Sequence, residues 1–391
     1  MQRMAASTAG VLVLAWLSGA AEAADPPVPP PDPVPVAVGA PMPSSPRPAQ
    51  PASDAGPVLH FDDAAADPWI EPDGHFVAGA GVYLIKPFFD SNPAFHTSTT
   101  AASGSGLHLT SATATQYQDF DYDLGAAPLI WVGYVGGDGL GVRGRWWTFD
   151  QGSRFNAVND DSSGATVITS AAPQGLSIHS PGTALGLALA PDTLAFNSNL
   201  RLNVWDLEAT QDLHLGCWGL TLSGGARYVH MSQDYNAFRA NPGGTAPTVF
   251  ISEDAESVQS GHNFNGAGPT VSLEARRALG DTGLVLYGLT RGSLLFGSGK
   301  QQTALTREVT GTSRGTPFDL LVTSDSVASR DDFVPIIELE VGAEYGMDFG
   351  RCHPFIRTGL VGQTWFGAGN ATNVTGNFGF LGLSATAGAN F

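Results

Sequence analysis

Lysine is almost missing from this 391-residue chain: only Lys86 and Lys300 occur. Cysteine is nearly as scarce, with Cys217 and Cys352 alone. Two cysteines cannot build a disulfide-rich scaffold, and no C-x-x-C or Cys/His zinc spacing is present. Charged residues make up 14%, against about 25% in an ordinary globular protein. What charge exists is acidic, with 36 Asp and Glu against 18 Lys and Arg and a net charge of −18. That balance excludes the basic face of a nucleic-acid binder. Beyond the first residues no apolar run reaches the roughly 20 residues of a spanning helix. The chain is rich instead in glycine (49) and phenylalanine (21), with 8 Trp and 8 Tyr. Those aromatics are too many for a chain disordered throughout. Such a composition fits a large, glycine-rich β protein.

The first 23 residues read as a secretory leader. Arg3 supplies the positive start, Val11 to Leu17 the apolar run, and Ala21-Glu22-Ala23 the small-x-small cleavage site. Residues 26–57 then carry 13 prolines. Such a stretch packs no core and is expected to be extended or disordered. Residues 24–74 therefore read as a spacer and transition, with binding to a cell-envelope partner as the alternative.

From about residue 75 the pattern has period two. Ten stretches alternate as strands: 76–86, 116–136, 138–150, 198–213, 217–233, 262–277, 282–297, 332–349, 352–366 and 377–391. The eighth is the clearest. Pro335, Ile337, Leu339, Val341, Ala343 and Tyr345 share one face, and Glu338, Glu340 and Glu344 share the other. The connections alternate in length. Tight turns lie near Gly136-Gly137-Asp138-Gly139, Leu215-Gly216-Cys217, Leu279 to Gly283 and Gly350-Arg351-Cys352. Long polar loops cover 87–115, 151–197, 234–261, 298–331 and 367–376. Sorting tight turns to one end and long loops to the other is the pattern of an outer-membrane barrel. The fold expected is an all-β, antiparallel up-and-down transmembrane barrel over 75–391, of about ten strands with twelve as the alternative. An even count puts both termini on the periplasmic side. The chain ends on Phe391, which resembles the terminal signal read by barrel-assembly machinery.

Several blocks carry a family resemblance. They are Asp119-Phe120-Asp121-Tyr122-Asp123, Ile130 to Tyr134, Gly139 to Asp150, Val204 to Ala209, Gly224 to Tyr228, Phe264 to Thr270, Leu273 to Arg277 and Arg291 to Phe296. Together, in this order, they resemble the Legionella major-outer-membrane-protein family of pore-forming barrels, in the form common among planctomycetes. The resemblance covers residues 75 to 391. It implies a pore in the outer membrane and supplies no catalytic residues.

Charge on a lipid-facing position costs about 2–4 kcal/mol at mid-bilayer, so strand charges are expected to point inward. The lumen-lining candidates are Arg143, Arg145, Arg201, Arg227, Glu274, Arg276, Arg291, Glu338, Glu340, Glu344 and Arg357. Arginine's fixed fork suits confined pairing with carboxylates; arginine-favouring codons of a GC-rich genome are the other reading. Two lumens follow. Opposed charges leave a narrow polar path, or they pair across and close it. Ten strands sit near the size at which side chains just fill a barrel, so a small conductance is expected. Asp119, Asp121 and Asp123 share one face at the outer end of the second strand and read as an acidic mouth. They fail the EF-hand pattern, because Leu124 and Ile130 stand where it needs Gly and Glu. An acidic excess at the mouth favours cations in an open pore.

No HExxH, GxSxG or P-loop occurs. His230 and Ser232 share a strand face and resemble the His-x-Ser of outer-membrane phospholipases, but no orienting Asn or Asp is identifiable from sequence. Cys217 and Cys352 fall in turns far apart around the ring, so no disulfide joins them. The sequence is read as that of a non-enzymatic, porin-like outer-membrane protein for passive diffusion of small polar solutes or ions. A closed structural or adhesive barrel acting through its surface loops is the alternative, and a lipid hydrolase the remote one. No cofactor or metal is expected. The expected partners are outer-membrane lipid, the assembly machinery and the permeating solutes, and no nucleic acid.

Overall fold

The structure, a computed structural model, describes residues 74–105, 108–159, 165–173, 177–179, 183–184, 187–188, 193–240, 251–280, 282–313, 316–350, 352–373 and 375–391. The expected leader and all but the last residue of the spacer lie outside the described residues.

Ten antiparallel strands close into a ring. We number them β1 (His75–Phe89), β2 (Gly125–Val135), β3 (Leu140–Val158), β4 (Thr193–Leu215), β5 (Trp218–Ala240), β6 (Ile251–Ala278), β7 (Leu284–Ser313), β8 (Thr316–Gly346), β9 (His353–Trp365) and β10 (Phe378–Asn390). Neighbours in sequence are neighbours in the ring, and β1 pairs with β10 to close it. The seam is finished by Phe391, whose backbone N–H donates to Phe76 O at 2.9 Å. No helix occurs among the described residues.

The short turns follow from glycine at positions other residues resist. Gly139 and Gly216 adopt φ of 77° and 61°, the left-handed region that costs glycine least. Cys217 shares the β4–β5 turn with Gly216, and Cys352 precedes β9; both are free thiols.

Alternation sets the two faces of the wall. On β8, Ile337, Leu339, Val341 and Tyr345 are exposed outward, whereas Ile336, Glu338 and Glu344 are buried inward. The outward apolar band is bounded by aromatics. Phe76 against Tyr134 (5.0 Å between centroids), Tyr345 and Trp218 mark the short-turn end. Trp146 against Trp205 (5.6 Å), Tyr228, and Phe296 against Phe333 (5.2 Å) mark the other. Two aromatic girdles around an apolar belt are what a bilayer selects. Leu339 lies midway between Tyr345 and Phe333. Replacing it with arginine is expected to cost about 2–4 kcal/mol, read as an earlier unfolding midpoint in lipid vesicles.

The strands are unequal. β1, β2, β9 and β10 have 15, 11, 13 and 13 residues, while β6, β7 and β8 have 28, 30 and 31. About ten tilted residues suffice to span. At roughly 3.3 Å per residue, β8 is about 100 Å long, so one wall continues far past the membrane band. This corrects the expected loops 234–261 and 298–331: β5 continues to Ala240, β6 begins at Ile251, and β7 and β8 stay paired as far as Ser313 and Thr316. Their Ser and Thr side chains still pair across strands, as Ser260 does with Thr303, so polar composition there does not end the ladder. β8 leaves β9 beyond Ile336 and, among the described residues, is paired only with β7 over Thr316–Val334.

The expected second strand, 116–136, is two elements. His108–Asp119 belongs to a small side sheet with Pro93–Ser105, Thr166–Ser170 and Ser177–His179. Residues 120–124 are not strand, and β2 starts at Gly125. The break is a change of parity: Asp123 and Leu124 are both exposed, between buried Tyr122 and buried Gly125. The side sheet is held to the raised wall by Tyr235, whose hydroxyl donates to Ala94 O at 2.6 Å, and by Phe95 stacked on Phe196.

Candidate functional site in the barrel interior

Among the inward-facing charges are six arginines, at 143, 145, 227, 276, 291 and 357, and six carboxylates, at 206, 208, 274, 338, 340 and 344. Alternation brings these from seven strands, β3 to β9, to one stretch of the interior, where all but Glu340 form two connected groups.

In the larger group Arg145 (β3) meets Asp206 (β4) at 2.9 Å and Glu338 (β8) at 3.3 Å. β3 and β8 stand five places apart in a ring of ten, so this contact crosses the full diameter. Arg227 (β5) binds Asp206 at 2.6 Å and also Glu338. Arg291 (β7) reaches Glu208 at 3.0 Å and Glu338 at 3.3 Å, and Arg143 reaches Glu208 at 2.8 Å. The side chains of Arg227 and Glu208 are 0% exposed and Arg291 is 1% exposed. Each arginine uses its fork to join two strands, a geometry the ammonium of lysine does not offer.

The smaller group lies nearer the short turns. Arg357 (β9) meets Glu274 (β6) at 2.8 Å and also Glu344 (β8), which binds Arg276 as well. Between the groups, Glu340 accepts hydrogen bonds from Tyr287 Oη and Ser384 Oγ, each at 2.7 Å.

Two more layers follow toward the long-loop end. Above Arg145 on β3 come Trp147 and Phe149, packed edge-on against Phe380 at 6.2 and 5.1 Å. Trp365 stacks on Phe378 at 5.4 Å beside them. Beyond this aromatic layer the segment between β9 and β10 folds into the lumen. Ala368, Asn370 and Ala371 are buried there. Ser260 donates to Ala371 O at 2.6 Å, Gln301 to the same oxygen at 3.1 Å, and His262 Nε2 to Ala368 O at 2.9 Å. Burial holds the His262 imidazole below the ordinary histidine value. Asn370 Nδ2 donates across to Ser91 O at 2.7 Å. A cavity of about 150 Å³ opens at the short-turn end and stops at the smaller ion-pair group, with Trp131, Arg143, Glu274, Arg276 and Arg357 in its wall.

The sequence profile described as the Legionella pneumophila major outer membrane protein precursor matches residues 73–387. The chain belongs to that family. This Legionella-type barrel is therefore an outer-membrane protein. No curated protein sequence matches it. Among solved structures it is similar to the outer membrane protease OmpT of Escherichia coli, at 10% identity over 82% of this chain and 97% of that one, with a TM-score of 0.39. It is also similar to the CymD monoaromatic hydrocarbon channel, at 8% identity over 81% and 88% of the two chains, with a TM-score of 0.26.

In this family member ten of the eleven lumen candidates point inward: Arg143, Arg145, Arg227, Glu274, Arg276, Arg291, Glu338, Glu340, Glu344 and Arg357. Arg201 is the exception and is corrected here. Its neighbours Leu200 and Leu202 are fully buried, so Arg201 faces outward, where it pairs with Asp150 at 2.8 Å. Asp206 and Glu208 were missed. The signal lay in the sequence: Trp205 and Leu207 are large apolar residues suited to lipid, which forces 206 and 208 inward. The acidic-mouth reading is also corrected. Asp119, Asp121 and Asp123 are exposed while Phe120 and Tyr122 are buried. Asp121 pairs with Lys86, itself on the outward face of β1, at 2.7 Å, and Asp119 caps the Asn92 N–H at 3.1 Å. These carboxylates sit on the outside of the rim. His230 and Ser232 also face outward, on β5.

Proposed function

We propose that this outer-membrane barrel is closed through its centre and serves as a rigid membrane anchor for the raised β4–β8 wall, which acts on the cell surface. The observation that carries this reading is the arginine–carboxylate lattice spanning the diameter from Arg145 to Glu338 with almost no solvent exposure. The aromatic layer and the infolded 366–377 segment add two further stoppers. The raised wall offers what an adhesive surface needs. Beyond Pro335, one edge of β8 has no strand partner among the described residues, and Leu320, Leu321, Val322 and Val327 are exposed along it. An unpaired edge with apolar side chains is a template for an added strand. In this reading the short turns, both termini of the barrel and the chain before His75 are periplasmic, and Phe391 serves the assembly machinery.

A second reading is favoured by one observation, the cavity that reaches the lattice from the short-turn end. There the lattice is a gate in a narrow path for small polar solutes or ions. Planar-bilayer recording of the refolded chain separates the two. The closed reading expects no unitary steps from the native protein, and loss of surface binding when residues 303–326 are excised. Regular, voltage-independent steps would overturn it in favour of the pore.

A further inference from the structure

We propose that the outward face of β4–β6 carries a serine esterase site for acyl esters of membrane lipids, with Ser232 as nucleophile, His230 as base and Asn265 as the residue that positions the base. Val229 and Met231 are buried in the interior, so His230 and Ser232, which alternate with them, project outward together. Register then sets their neighbours. Asn265 of β6 lies directly opposite His230, and Arg201 of β4 and Asn263 of β6 lie on either side of Ser232.

The orienting residue that the sequence could not supply is Asn265. Its Oδ1 is 2.6 Å from His230 Nδ1 and also accepts from Tyr228 Oη at 3.4 Å. An amide oxygen only accepts, so Nδ1 carries the proton and the Nε2 lone pair is left for Ser232. This is the tautomer a serine-activating base needs. Two residues along a strand, Ser232 lies about 7 Å away between Cα atoms, a span within the combined reach of an imidazole and a hydroxyl, although no hydrogen bond joins the two side chains in this structure. The hydroxyl is not engaged by other described residues. Apo sites commonly show this contact long and close it only around substrate.

Arg201 completes the set. Asp150 holds its guanidinium through Nε at 3.0 Å and Nη2 at 2.8 Å, beside Ser232 on the same face. The N–H groups of Nη1 are left as donors for an oxyanion that develops next to Ser232. The location selects the substrate. Tyr228 and Trp205 belong to the outer aromatic girdle, and His230 and Ser232 are the next outward positions along β5. A lipid in the outer leaflet presents its ester carbonyls at that depth.

The step balances without a cofactor. Ser232 Oγ attacks the ester carbonyl carbon as its proton passes to His230 Nε2. The tetrahedral adduct expels the lipid alcohol, which takes the proton from His230. Water, deprotonated by the same nitrogen, then attacks the acyl-serine, releasing the fatty acid and restoring the hydroxyl.

The test uses the refolded full chain in detergent micelles doped with phosphatidylcholine, and a fluorophosphonate as covalent probe. We expect the label on the peptide containing Ser232 and release of fatty acid, both lost by at least 100-fold in Ser232→Ala. Asn265→Ala should lower the rate 10- to 100-fold and shift its pH profile, while Asn265→Asp restores most of it. Heat-modifiable gel mobility reports folding of each variant. A folded native protein with no label and no fatty-acid release overturns the proposal, as does a Ser232→Ala variant of undiminished rate.

Discussion

Replacing Glu338 with alanine should destabilise the barrel by about 3–5 kcal/mol, the usual penalty for removing one partner of a buried ion pair. Glu338 is the shared counter-ion of Arg145, Arg227 and Arg291. Without it three guanidiniums, each at most 8% exposed, retain only Asp206 and Glu208. Taking a charge out of water is unfavourable by several kcal/mol unless a partner offsets it, so the loss is larger than that of one hydrogen bond. Glu338→Gln keeps the shape and some acceptors and should fall between. Asp121→Ala, which breaks an exposed pair with Lys86, should stay within about 1 kcal/mol. Urea unfolding in detergent, followed by tryptophan fluorescence, ranks the three. Equal effects for Glu338→Ala and Asp121→Ala would mean that the lattice is hydrated in solution.

Trp147→Ala should cost about 3–5 kcal/mol, as large-to-small core truncations do. The indole is fully buried between Tyr83 at 6.0 Å and Phe380 at 6.2 Å, directly above Arg145 on the same strand face. Its removal leaves a void over the ion pairs that no neighbour on a hydrogen-bonded wall can move to fill. Trp147→Phe should be much milder. The indole Nε1 has no hydrogen-bond partner among the described residues, so phenylalanine removes an unsatisfied donor along with some packing. The same unfolding experiment reads both variants, and a Phe substitution as harmful as Ala would show that the donor is satisfied in solution.

Much of this is legible in the sequence. Alternation on β8 and β5 put Glu338 and Arg227 inward because one face of a membrane strand must be apolar. Arg201 misleads because a charge on a strand calls for an inward position only within the apolar belt. β4 continues past that belt, and at its polar margin an outward arginine meets lipid headgroups and water rather than hydrocarbon. The same overrun hid the extent of β5 to β8, since Ser- and Thr-rich sequence serves a solvated ladder as readily as a loop. The infolded 366–377 segment was not legible at all. Its buried contacts are backbone carbonyls and Asn370, and nothing local distinguishes a glycine- and asparagine-rich loop that turns in from one that turns out. Asn265 was unreadable for a related reason: its place beside His230 is fixed by the register between β5 and β6, not by spacing along the chain.

The unequal strands have a mechanical meaning. A load applied along the strands at the tip of the β7–β8 hairpin draws both strands the same way and passes along their backbones. The ladders that bind the hairpin to the wall, β6–β7 and β8–β9, then bear it together, in shear, rather than parting one bond after another. The diametral contact from Arg145 to Glu338 acts as a cross-brace below, resisting the flattening of the ring that a one-sided pull would produce.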